Sequence, residues 1–254
     1  MAMAMPWAAD LARAIDPVVL MQDIGFEPDP WQARALRSRS RRMLLLASRQ
    51  SGKSTVTSCI ALHQALYQPG SLTLLLAPVE RQSEELFRKV LFAYWRLGRP
   101  VPPRRELALS LELANDSRIV ALPGKEANIR SFSSVNLAIV DEAARVPDEL
   151  IVGVSPMLQI SRGRLLMLTT PFGRRGIFFD TWESDDPSWE RIKAVAAECP
   201  RYDPEYLEGE RRLLGPRYFR QEYESEFISA EDQVFSTESI EAAFESDFPA
   251  LAGI

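Results

Sequence analysis

A chain of 254 residues, 46% hydrophobic and 26% charged, is long enough for one large or two small globular domains with a full core. Its net charge of −5 argues against a uniformly basic nucleic-acid binder, so any phosphate contact has to come from local clusters. Two distant cysteines (Cys59 and Cys199) and one histidine (His63) give neither a disulfide framework nor metal-type spacing, and no apolar run reaches membrane-spanning length.

A reducing compartment follows from the cysteines, and residues 1 to 10 lack the basic flank and apolar stretch of a signal peptide. Residues 11 to 24 carry apolar positions at helical spacing (Leu11, Ile15, Val18, Val19), broken at Pro17. A proline-rich turn from Phe26 leads into a short helix over residues 32 to 37. Trp31 and Gln32 admit two readings. Gln32 has the amide that can read an adenine N6/N7 edge, with Trp31 packing beside the base, or the pair is an ordinary staple and helix start. Arg34, Arg37, Arg39, Arg41 and Arg42 form a basic cluster, either a solvated face or a phosphate or partner patch.

Met43 to Leu46 reads as a buried strand and Val56 to Leu62 as a helix start. Between them stand Ala47, Ser48, Arg49, Gln50, Ser51, Gly52, Lys53, Ser54 and Thr55. A strand, a small-residue loop with Gly-Lys-Ser and then a helix is the context of a phosphate loop, here a variant with Ala47 at the usual first glycine. Backbone N–H groups and the helix N-terminus surround a polyphosphate with donors; Lys53 supplies an ammonium and Ser54 a hydroxyl for Mg2+. Cys59 and His63 in the following helix read as structural.

A second buried strand covers residues 72 to 77 and a helix residues 81 to 97. Residues 99 to 105 read as a stiff basic loop. Short strands over 107 to 113 and 118 to 122 are joined by an Asn115-Asp116 turn. A polar loop carrying Arg130 precedes an apolar strand, 137 to 140, that ends in Asp141 and Glu142. A helix follows over 147 to 158, then a strand over 163 to 168 with Thr169, Thr170 and Pro171 at its tip, and a short helix over 177 to 182. Residues 189 to 196 suit a last strand, 203 to 214 and 217 to 227 charged helices, and 229 to 254 a linker with one short helix.

Strands alternating with helices call for a mainly parallel sheet covered on both faces, with ligands gathered at the carboxyl ends of the strands. Three polar tips share that edge. Asp141 suits Mg2+, which prefers hard oxygen ligands, and Glu142 is placed to deprotonate an attacking water. Metal and base carboxylates side by side point to hydrolysis. Thr169 and Thr170 either sense the γ-phosphate or cap the strand end. Charge on the transition state calls for an arginine, with Arg130 ranked ahead of Arg49 and Arg145. Arg99, Arg104 and Arg105 are candidate contacts for DNA phosphates.

The phosphate-loop residues Ser48 to Ser54, Ile139-Val140-Asp141-Glu142-Ala143, and Thr169-Thr170-Pro171 followed by Gly173 and Gly176-Ile177-Phe178-Phe179 together resemble the ATPase domain of the large terminase subunit of tailed bacteriophages. Pro30-Trp31-Gln32 is similar to that family's adenine-side motif, and the likeness covers roughly residues 25 to 230. It implies a three-layer α/β/α P-loop NTPase of the ASCE, RecA-like type. Its parts would be an N-terminal helical extension (1–24), the ATPase core (25–200), a helical lid or linker subdomain (201–230) and a linker (231–254) towards a nuclease domain not expected from this chain. It further implies ATP and Mg2+, double-stranded DNA, portal protein, procapsid and small terminase subunit as partners, and a pentameric ring when assembled in the host cytoplasm at the portal. Arg130 lies where a neighbour-supplied finger would be, Arg49 matches the in-loop arginine, and Thr169-Thr170-Pro171 matches the coupling motif. The alternatives are a helicase-like or other remodelling ATPase, or a nucleotide-dependent assembly module with weak turnover.

Overall fold

The computed structural model describes residues 6–123, 129 and 132–228. Its strands are β1 (Arg42–Ala47), β2 (Leu72–Ala77), β3 (Pro103–Glu106), β4 (Ser110–Leu113), β5 (Arg118–Pro123), β6 (Leu137–Asp141), β7 (Arg164–Thr169) and β8 (Glu190–Ala194). They form one sheet in the order β3-β4-β5-β2-β6-β7-β1-β8. From β5 to β8 every pairing is parallel, and β3-β4-β5 is an antiparallel extension.

The helices are α1 (Pro6–Ile15), α2 (Pro17–Asp23), α3 (Pro30–Arg37), α4 (Lys53–Tyr67), α5 (Glu80–Arg96), α6 (Asp148–Ser161), α7 (Gly176–Glu183) and α8 (Pro204–Tyr223). Alternate strand residues point to opposite faces, so each apolar run serves two cores. Met43, Leu45 and Ala47 join Ile139, Leu166 and Leu168 under the side chains of α2 to α5. Leu44 and Leu46 join Leu74, Val140 and Met167 under α6 and α7. This is the three-layer arrangement that a near-continuous apolar strand requires.

The N-terminal helices belong to the first core through Val18, Leu20, Met21 and Ile24. His63 Nε2 lies 3.0 Å from the carbonyl of Arg13, and Cys59 is fully buried, so both are structural residues. Among the described residues, no helix is long and apolar enough to cross a membrane.

Three local expectations need correction. Residues 103 to 106 are a strand, not part of a stiff loop, because the chain turns back at Leu107, whose N–H donates to Ser110 O at 2.8 Å. The strand expected over 107 to 113 therefore begins only at Ser110; the same-parity leucines 107, 109, 111 and 113 hide a turn. The two C-terminal helices are present as expected, separated by a break at Gly215 where φ is +72°, but the second ends at Tyr223, not 227. Residues 1–5 and 229–254, including the linker expected over 231–254, lie outside the described residues.

Candidate nucleotide site

β1 delivers the chain into the loop at the carboxyl edge of the sheet, and α4 begins at Lys53. Gly52 takes φ +93°, and a Cβ there would stand 2.6 Å from Gln32 Nε2. The position therefore demands glycine both for its backbone and for its space. Ser51 Oγ donates to Ser48 O at 2.8 Å and closes the turn. Lys53 is buried, and its ammonium donates to Ala47 O (3.0 Å), Ser48 O (2.9 Å) and Thr170 Oγ1 (3.1 Å). Burial lowers its pKa, opposed by the charges of Glu142 and Asp141.

β7 lies between β1 and β6, so its tip separates the loop from the acids. Ser54 Oγ stands 3.5 Å from Asp141 Oδ2, and the other Asp141 oxygen accepts the N–H of Glu142 at 2.9 Å. Burial, with the neighbouring Glu142 charge second, pushes the Asp141 carboxyl up to about 6. A buried carboxylate beside a hydroxyl is a hard-oxygen pair that fits Mg2+, whose remaining ligands are ordinarily phosphate oxygens and water. Glu142 has φ +51°, which turns it out of the strand direction. Its Oε2 lies 3.5 Å from Thr169 Oγ1, a hydroxyl that also donates to Thr170 O at 2.7 Å. Pro171 is buried behind this tip. Arg145 places Nε 3.7 Å from Glu142 Oε2 and its guanidinium 3.8 Å over the Phe172 ring. Lys53, Ser54, Asp141, Glu142, Thr169 and Thr170 thus share one corner of the sheet.

The other candidates sit differently. Gln32 is buried and both ends of its amide are engaged: Oε1 accepts Asp29 N–H (2.9 Å) and Nε2 donates to Ser51 O (3.0 Å). It braces the phosphate loop and caps α3, and Trp31 beside it is a core residue. Arg49 is exposed and turned towards α8: its N–H donates to Glu222 O at 3.0 Å and its Nε lies 3.7 Å from Glu222 Oε2. Gln50 is exposed with φ +53°, and Thr55 is half-buried. Arg130 lies outside the described residues. Arg99, Arg104 and Arg105 stand by β3, at the far edge of the sheet.

Sequence reasoning missed Asp29, Arg201, Tyr202 and Glu222. Asp29 is buried and receives Arg201 bidentately at 2.9 and 2.7 Å, while Arg201 also donates to Ser51 O at 2.8 Å. Tyr202 donates its hydroxyl to Arg49 O. A hollow of about 490 Å3 opens beside this brace, lined by Phe26, Pro28, Gly52, Thr55 and Arg201, and is large enough for a base. No sequence signal joins Asp29 to a residue 172 positions away.

A family model described as "Terminase large subunit, T4likevirus-type, N-terminal" matches residues 44–242. The chain belongs to this terminase family. The large terminase subunit of Thermus phage G20c is 28% identical over 253 residues, covering 84% of this chain and 51% of its own length. The chain spans about half the length of the curated relatives it matches. The large terminase ATPase domain of Thermus phage P74-26 superposes with a TM-score of 0.73 at 22% identity, covering 82% of this chain and 97% of that one. The large terminase of another thermophilic bacteriophage, solved with ADP, gives 0.64 at 12% identity, covering 79% and 54%. These likenesses establish the RecA-like P-loop fold. The terminase match encloses the loop, the acids, the threonine tip and α8, whereas Asp29 and Gln32 precede it.

Proposed function

We propose that this terminase domain hydrolyses ATP and couples the cycle to the movement of double-stranded DNA into a procapsid. The observation that carries the reading is the shared corner: Ser54 beside Asp141, Lys53 on Thr170, and Thr169 beside Glu142. The ADP complex of the thermophilic bacteriophage enzyme supports nucleotide as the ligand.

In this reading the loop amides and Lys53 take the phosphates, the ammonium exchanging its carbonyl partners for phosphate oxygens. Mg2+ held by Ser54 and Asp141 would neutralise charge on the β- and γ-phosphates. Glu142 accepts the proton of the attacking water as the bond from the γ-phosphorus to the ADP oxygen breaks. Lys53, Arg49 and Arg130 answer the charge that develops. The base occupies the hollow beside Arg201, and Thr169 and Thr170 report loss of the γ-phosphate to the segment after Pro171. Subunits assemble as a homo-oligomeric ring at the portal in the host cytoplasm, with the small terminase subunit as a further partner.

The test is ATP turnover by wild type, Lys53→Ala and Glu142→Ala with and without Mg2+. Both variants should lose turnover, and equal rates in all three proteins remove the reading. Arg130→Ala should bind ATP yet hydrolyse it poorly. Mixing it with a Glu142→Ala subunit that keeps Arg130 should restore activity if the arginine acts between subunits.

A further inference from the structure

A second concentration of charge lies at the amino-terminal ends of the same strands, across the sheet from the nucleotide corner. β1 and β7 pair in parallel with Arg42 opposite Leu165, so the segment entering β1 meets the turn that leaves α6. There Arg41, Arg42 and Arg162 line a hollow of about 210 Å3 together with Ser155, Gln159 and Gly163. The three arginines are exposed. Arg164, part-buried below, donates to Ser40 O and Ser38 O at 3.0 Å each and so holds the arginine segment in place. Arg42 also lies 5.4 Å over the Trp189 ring.

The acids nearby are already engaged. Glu190 takes Ser38 and Arg34, Asp16 takes Arg37, and Asp186, within electrostatic reach of Arg42, accepts Ser188 N–H. Among the described residues, Arg39, Arg41 and Arg162 have no carboxylate partner. Arg39 even adds to the repulsion felt by Arg164, whose pKa burial lowers first. In a chain of net charge −5, exposed guanidiniums converging on one hollow make a local positive patch that attracts a polyanion. The patch near β3 is different: Arg104 pairs with Asp116, and Arg99 lies 3.9 Å from Glu106. Phosphates at Arg99 and Arg104 would first have to displace acids.

We propose that Arg41, Arg42 and Arg162 form a phosphate-binding hollow that grips the backbone of duplex DNA. The proposal rests on the packaging reading for its polymer. Guanidinium forks match phosphate oxygens bidentately, and Ser155 and Gln159 add neutral donors at the rim. A small concave site that presents several guanidiniums and no base-reading groove suits sequence-independent contact.

The test measures anisotropy of a labelled duplex of roughly 30 bp against salt, the length being chosen to exceed a protein–DNA footprint of this size. The full chain carries Arg41→Gln, Arg42→Gln and Arg162→Gln. Affinity at low salt should fall about tenfold or more, and the slope of log K against log salt should shrink by about 2 to 3, near one per lost phosphate contact. Basal ATP turnover should stay at the wild-type rate. The triple variant Arg99→Gln, Arg104→Gln, Arg105→Gln should lose less. Wild-type affinity and slope in the amino-edge variant, with wild type binding normally, overturn the proposal and leave the packaging reading intact. A wild type that turns over ATP but has no duplex affinity at low salt sinks both. Capture of poly-glutamate in preference to duplex DNA assigns the hollow to an acidic protein and overturns it as well.

Discussion

At the carboxyl ends of β1 and β6 the central charged pair, Lys53 and Asp141, is sunk into the protein, whereas beside the amino ends of β1 and β7 the arginines stand in water. Lys53 and Asp141 are 7% and 8% exposed, and their charges oppose each other's desolvation. Arg39, Arg41 and Arg162 are exposed and unmatched by any carboxylate among the described residues. A buried charge left alone costs several kcal/mol, so the first edge has to be balanced. An exposed one is screened by water and salt, so the second can carry an imbalance. The same sheet therefore offers a dry corner, where small changes in charge are amplified, and a wet one, where only a polyanion gathers enough contacts to hold.

This contrast can be broken most sharply by chemistry. Glu142→Gln should reduce ATP turnover by about 10²- to 10⁴-fold, the worth of a general base, while nucleotide binding persists in an equilibrium titration. A similar loss from the amino-edge triple variant would erase the distinction between the two ends.

The next effect is one of pH. The Asp141 carboxyl is pushed up to about 6 in the folded chain from an ordinary value of 3.8. Its protonated form is the one the fold prefers. The associated stability is fully present below 3.8 and is lost as pH rises through 6. Without nucleotide or metal, Asp141→Asn should therefore raise stability at pH 8 by about 2 to 3 kcal/mol, with the advantage shrinking towards pH 5 in thermal melts. Affinity for Mg2+-nucleotide should run the other way, falling as pH drops below 6, because a protonated carboxyl is a poor metal ligand.

Arg201→Ala should cost about 1.5 to 3 kcal/mol, the range for hydrogen bonds to a charged group, since it strands the buried Asp29. It should also raise KM for ATP more than it lowers kcat, because the brace holds the loop and the base hollow without reaching the acids. An unchanged KM would detach the hollow from the nucleotide. The smallest effect belongs to Gly52→Ala, at about 1 to 2 kcal/mol from a left-handed backbone and contact with Gln32, read as a lowered unfolding midpoint.

Much of the dry corner was legible because its residues come in contiguous pairs at strand ends. Lys53 and Ser54, Asp141 and Glu142, and Thr169 and Thr170 each follow an apolar run whose termination is visible, and parallel pairing brings those ends together. Residues that meet only in three dimensions left no trace. Asp29 with Arg201, and Arg162 with the segment 39 to 42, are joined by folding alone. Gln32 was open to misreading because an amide that braces the loop and an amide facing a base have the same sequence. Leu107 and Leu109 continue the parity of a strand that had already turned.

The place of β7 has a geometric consequence. Because this strand is inserted between β1 and β6, the strands that carry the lysine-bearing loop and the acids stand two interstrand steps apart, about 9.6 Å instead of about 4.8 Å. Side by side, those neighbours would neutralise one another across a gap too narrow for a guest. The inserted strand works as a spacer between the backbones that carry the opposing charges and brings the hydroxyl at its tip, Thr170 Oγ1, to the lysine.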